Sequence, residues 1–217
     1  MKLSVLAKPL KSEGFKKYAR NTGWLFAEQI LRILSGILVG VWTARYLGPE
    51  SFGIYSYAIS FVALFGVIAN LGLQSITVRE LLNFPDQQKS ILGTAFYLQI
   101  IGALFTVLLI CAVLPFTSNN DQTNIYILII ASGLFFQAFQ VIDSYFQSQV
   151  LAKYISICRL VQLFISAVLK VAFVLAEADL IYFVLIILID NLTLALTLSF
   201  AYWKKGNHTF YKSWHIS

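Results

Sequence analysis

Charge is what this sequence has least of. Only 12% of its 217 residues are Asp, Glu, Lys or Arg, about half the share of a soluble domain, while 59% are hydrophobic and the mean hydropathy is +0.76. That balance excludes a soluble enzyme. Cysteine is nearly absent: Cys111 and Cys158 each sit inside an apolar run, and the span order below puts them in opposite leaflets, too far apart for a disulfide. No Cys-based metal site follows from two such thiols. Histidine is confined to His208 and His215 near the C-terminus. A Gly-rich phosphate loop, an H-E-x-x-H pair and a G-x-S-x-G elbow are all missing, so the chain reads as a non-enzyme with no cofactor. A cleaved signal peptide is excluded as well, because the first apolar run after the basic N-terminus is too long and carries charges.

What is there is a succession of long apolar runs. At roughly 20 residues per crossing, residues 22–46, 52–73, 91–114, 125–143, 155–176 and 180–203 read as six transmembrane helices of an all-α integral membrane protein. Residues 1–21 form a cytoplasmic N-terminal segment, 22–203 the six-helix lobe and 204–217 a cytoplasmic tail. Turn chemistry separates the runs at Gly48-Pro49-Glu50, at Asn83-Phe84-Pro85-Asp86, across the polar loop 117–121 and at the acidic hairpin Glu177-Ala178-Asp179.

The net charge of +6 and pI near 9.3 would point to nucleic acid in a soluble chain; here its distribution reads as topology. Thirteen Lys and Arg fall in the N-terminal segment, the second-to-third and fourth-to-fifth connections and the tail, against Arg45 alone on the other side. Both termini are therefore expected in the cytoplasm, and no nucleic-acid partner is expected.

Inside the runs, polar residues fall in stripes. On the first span Glu28, Arg32, Ser35, Val39 and Thr43 share one helical face, where Glu28 and Arg32 can pair at i, i+4. On the fifth, Arg159, Gln162, Ser166 and Lys170 share another, although Arg159 can also snorkel to the interface. Lys170 and Asp190 lie at similar depth and are expected to pair. Asn70 and Gln74 mark the second span, Gln137, Gln140, Ser144 and Gln147 the fourth, and Thr193 and Thr197 flank Asp190 on the sixth. Taken singly, such residues read as structural ion pairs or interhelical hydrogen bonds. Together they read as the walls of one hydrated, net-cationic cavity for something anionic and hydroxyl-rich. Gly36 and Gly40 form a G-x-x-x-G flank that would let a neighbouring helix approach closely.

Asn21-Thr22-Gly23-Trp24-Leu25-Phe26-Ala27-Glu28, the stretch from Gly40 to Ala58 with its Ala44-Arg45-Tyr46-Leu47-Gly48-Pro49-Glu50-Ser51-Phe52-Gly53 element, and Asn70-Leu71-Gly72-Leu73 running into Val78-Arg79-Glu80-Leu81 resemble the start of bacterial O-antigen and polysaccharide flippases of the multidrug, oligosaccharidyl-lipid and polysaccharide exporter superfamily. The resemblance implies one lobe of a MATE-like transporter, in the bacterial inner membrane, that moves undecaprenyl-diphosphate-linked oligosaccharide between leaflets by alternating access. Under it, Arg32, Lys170 and Arg159 would meet the diphosphate, and Glu28 and Asp190 would hold or exchange those cations. Asn70, Gln74, Gln137 and Gln140 would bond sugar hydroxyls while the polyprenyl tail stays among membrane lipids.

Tyr211-Lys212-Ser213-Trp214 resembles the element leading such proteins into a seventh helix, so a second lobe is an expected partner, and a polysaccharide polymerase a further one. The alternative is a truncated, non-transporting remnant or a half-transporter. With no nucleotide-binding motif, the drive would come from an ion gradient, the membrane potential or product removal. A polyprenyl-linked glycosyltransferase would need grouped acids, whereas Asp86, Asp121 and Asp179 are isolated.

Overall fold

The computed structural model describes residues 13–70 and 72–205, with side chains described for 19–67 and 72–205. The predicted features of residues 1–12 and of the tail beyond 205, and the side chain of Asn70, lie outside the described residues. Helix is the only regular structure among the described residues: α1 (Glu13–Asn70), α2 (Leu73–Asn83), α3 (Gln88–Val113), α4 (Asp121–Ser132), α5 (Leu134–Gln137), α6 (Val141–Ser148), α7 (Ala152–Leu175) and α8 (Leu180–Lys204), with short 3-10 turns before and after α3 and between α5 and α6.

Five helical stretches are long and apolar enough to cross a membrane: Ala19–Val67, Pro85–Phe116, Asp121–Ser148, Ala152–Leu175 and Leu180–Lys204. The difference from the six predicted runs lies in the first. Its 49 residues would extend about 74 Å if straight, more than twice a hydrocarbon core of about 30 Å. The helical path breaks inside it at Gly48, whose φ of 72° and ψ of 172° are open to glycine alone, and Pro49 then starts a new turn with its φ already helical. Tyr46 and Leu47 before this point and Tyr55 after it pack on one cluster, Val174, Phe183 and Ile186, and the Tyr46 hydroxyl donates to the Ala178 carbonyl at 3.0 Å. The first half of α1 then lies on α7, and the second half on α3 and α4.

The fourth predicted run also changes. It continues past Asp143 to Ser148, through a one-residue interruption at Gly133, whose backbone stays in the right-handed helical region, and a 3-10 turn over Ala138–Gln140, so Asp143 lies inside a helix instead of ending one. A Cβ on Gly133 would stand 2.9 Å from the Asn191 amide nitrogen, so glycine here lets α8 approach closely. Asn120 caps α4 by accepting from the Thr123 amide at 2.8 Å, in agreement with the predicted polar loop.

Lipid offers no hydrophobic drive for helices to associate, so the contacts rest on close packing and small residues. Ala58, Ala103 and Ala131 are buried in one cluster with Ile110, Ile127 and Val184, and Ala138 and Ala152 are buried as well. Large apolar side chains such as Leu38, Val67, Phe164 and Leu175 are instead about 70% exposed, the inverse of a soluble protein's surface.

Candidate functional site

The two stripes read from the sequence, on α1 and on α7, face each other. Their meeting point is a chain of charges near the end of the bundle where α7 begins. Glu28 is 3% exposed and accepts from Arg32 Nε at 2.9 Å and Nη2 at 2.6 Å on the same oxygen, Oε1. Its other oxygen, Oε2, stands 3.7 Å from Arg159 Nη1 on α7. Arg159 Nη2 in turn donates at 2.5 Å to Asp143 Oδ2 on α6, and Asp143 Oδ1 accepts from Gln147 at 2.9 Å. Two guanidiniums and two carboxylates thus cancel, which is what makes these charges tolerable at depth. Arg159 is held here instead of snorkelling. The Asn21 side chain, accepting from the Ala152 amide at 2.6 Å, fixes the start of α7 beside α1.

Cavities flank this network on both sides along the seam. Toward the start of α7 a cavity of about 590 Å³ is lined by Asn21, Thr22, Leu25, Phe26, Glu28, Gln29, Gln147, Ala152 and Arg159. On the other side a cleft of about 180 Å³ lies between Arg32, Ser35, Gly36, Val39 and Gly40 of α1 and Leu163, Ser166, Ala167 and Lys170 of α7. Arg32 belongs to both features: two of its nitrogens hold Glu28, while its side chain is 44% exposed and lines the cleft. The expected close approach at Gly36 and Gly40 is not made, since a Cβ on either would meet nothing within 4 Å. These glycines shape an open cleft.

Lys170 and Asp190 do not form the expected ion pair. Ser166, one turn before Lys170, donates to Asp190 Oδ2 at 2.9 Å, and Gln162 donates to the Asp190 backbone carbonyl at 3.1 Å. Asp190 Oδ1 is buried and has no hydrogen-bond partner among the described residues. Lys170 closes no ion pair among the described residues; it lines the cleft with Arg32 and acts on Asp190 only through space.

The amide residues fall elsewhere. Gln137 lines a separate cavity of about 490 Å³ between α1, α4, α5 and α8, with Gly66, Gly72, Ile187 and Asn191; Gln140 is half-buried near it in sequence and Gln74 is exposed on α2. The single predicted cavity is therefore divided, because the face holding Gln137 turns away from α7. Sequence reasoning missed Asp143 as a site residue. It stands three residues after Gln140 and four before Gln147, so extending the fourth polar line would have found it.

A family model described as "Polysaccharide biosynthesis protein" matches residues 18–215, which takes in α1 from Tyr18 and every later helix. No curated protein and no solved structure matches the chain.

Proposed function

The chain belongs to the polysaccharide biosynthesis protein family, and from that premise we propose that it serves in flipping an undecaprenyl-diphosphate-linked oligosaccharide across a bacterial inner membrane. In this reading α1 crosses twice, bending at Gly48, so that six spans form one lobe of a MATE-like transporter with both termini cytoplasmic. The observation that carries it is the α1–α7 seam: a cavity at the basic end, a neutral charge chain, then a cleft with Arg32 at one end and Lys170 at the other.

A diphosphate needs cations that can be surrendered to it. Glu28 is shared by two arginines, and Arg159 has a second carboxylate in Asp143. Arg32 can therefore turn from Glu28 to a phosphate while Arg159 stays neutralised, and the charge-assisted fork it offers is strong. Lys170 adds a point charge farther along the path, and Ser35 and Ser166 supply hydroxyls beside it. Asp190 holds Ser166, and Gln137 and Asn191 offer amides to sugar hydroxyls in the neighbouring cavity. The polyprenyl tail remains among membrane lipids.

One observation favours a second lobe beside this one. The cleft is open along the α1 flank, where Ile33, Leu34, Ile37 and Leu38 are all more than half exposed and the Gly36 and Gly40 surfaces are bare. A second lobe would close it, and a polysaccharide polymerase would receive the product.

Expression in a host lacking its own flippase, with and without a second lobe supplied in trans, tests the proposal. Surface polysaccharide should return only with the second lobe, should vanish with Arg32→Ala at unchanged protein level, and should return in part with Arg32→Lys, which keeps the charge but loses the fork. Full export by Arg32→Ala would defeat the reading.

A further inference from the structure

On the face of α7 away from the polar seam, a groove of about 730 Å³ runs between α7 and α8, within the size range of small-molecule sites. Tyr154, Ile157 and Val161 form one wall and Leu196, Phe200 and Ala201 the other, with Lys204 and Lys205 at the mouth. None of these residues lines the seam cavity or the cleft. At 100° per residue, Tyr154, Ile157 and Val161 lie opposite Arg159, Ser166 and Lys170 on α7, so the groove does not communicate with the path proposed for the sugar.

The mouth is cationic and uncompensated. Lys204 and Lys205 are exposed and make no ion pair among the described residues, and no acid lines the groove. The Lys205 ammonium is held 5.0 Å from the centroid of the Tyr154 ring, which fixes one charge at the lip by cation–π attraction. An apolar trough ending in two lysines at the basic end of a membrane helix matches an anion carried on a hydrocarbon chain. From Lys204 back to Leu196 the groove follows α8 for about 12 Å, enough to seat a segment of an acyl chain.

We infer that this groove binds a resident anionic glycerophospholipid of the same leaflet, its phosphate on Lys204 and Lys205 and one acyl chain between α7 and α8. Each juxtamembrane lysine is worth about fivefold in affinity for an anionic lipid. The site belongs to the lobe's outer surface and is independent of the flipping reaction.

The full-length chain in mild detergent, titrated separately with phosphatidylglycerol, phosphatidylcholine and undecaprenyl phosphate and read by native mass spectrometry, tests the inference. One phosphatidylglycerol should bind at least tenfold more tightly than phosphatidylcholine. Lys204→Gln with Lys205→Gln should weaken it about 25-fold. Leu196→Trp, at a position 61% exposed where a larger ring fits without entering the core, should fill the trough and block binding; Arg32→Gln should leave it unchanged. Equal affinity for the neutral lipid, or indifference to the lysine changes, would overturn the site. Displacement of phosphatidylglycerol by undecaprenyl phosphate would give the groove to the cargo instead, and no bound lipid at all would leave it without this occupant; either result overturns the proposal.

Discussion

Glu28 and Asp143, each 3% exposed, are the two carboxylates on which the candidate site turns, and each is met by a guanidinium. Removing one member of such a pair leaves an uncompensated buried charge, whereas replacing both by apolar groups is often close to neutral. Asp143→Leu should therefore lower the unfolding free energy by about 3 kcal/mol, the low end for a broken buried pair because Arg159 is 29% exposed. The double change Asp143→Leu with Arg159→Met should recover most of that loss in denaturant unfolding of the purified protein. Equal destabilisation by the single and double variants would mean that the Arg159–Asp143 contact contributes nothing to folding. Arg32 and Glu28 were legible from their i, i+4 spacing, because both lie on one helix and helical geometry alone brings them together. Asp143 was not. Its partner is sixteen residues away across a turn, and the apolar run was closed at the length of one crossing just where the polar residue stood.

At the scale of elements, hydropathy placed most breaks between the long helices close to where they turn, since in a membrane the length of an apolar run is set by the bilayer, but it closed the fourth run at Asp143, five residues before α6 ends. The Gly48-Pro49 turn and the Glu177–Asp179 hairpin are both where the sequence puts them. Which stripe meets which was not readable, because a helical wheel gives a residue's face but not its neighbour. The α1 and α7 stripes meet; the Gln137 face turns to α8 and α1 instead. The glycines separate these cases by experiment. Gly48→Ala forces a side chain into a backbone region reserved for glycine and should cost about 1–3 kcal/mol. Gly133→Ala drives a methyl into the Asn191 amide and should also lower the melting temperature. Gly36→Ala and Gly40→Ala meet nothing within 4 Å and should leave stability unchanged or raise it by up to about 1 kcal/mol, the ordinary helix preference for alanine. A large loss of stability from Gly36→Ala would show that a helix packs on this flank within the chain.

For the whole molecule, the proposed orientation rests on where the basic residues lie, and single cysteines test it. In a Cys111→Ser, Cys158→Ser background, an impermeant thiol reagent should label Cys introduced at Asn120 in intact cells and should leave Cys at Gln87 unlabelled; the reverse pattern would invert the molecule. The central claim is that Arg32 is kept for an anionic substrate and not for its partner. Replacing Glu28 by Leu and Arg32 by Met removes the pair at no net change of charge and leaves Arg159 neutralised by Asp143, so the lobe should stay folded and well expressed. The measurement that decides is surface polysaccharide in a flippase-deficient host supplied with a second lobe: the double variant, at unchanged protein level, should export none, and normal export would show that Arg32 serves the fold alone.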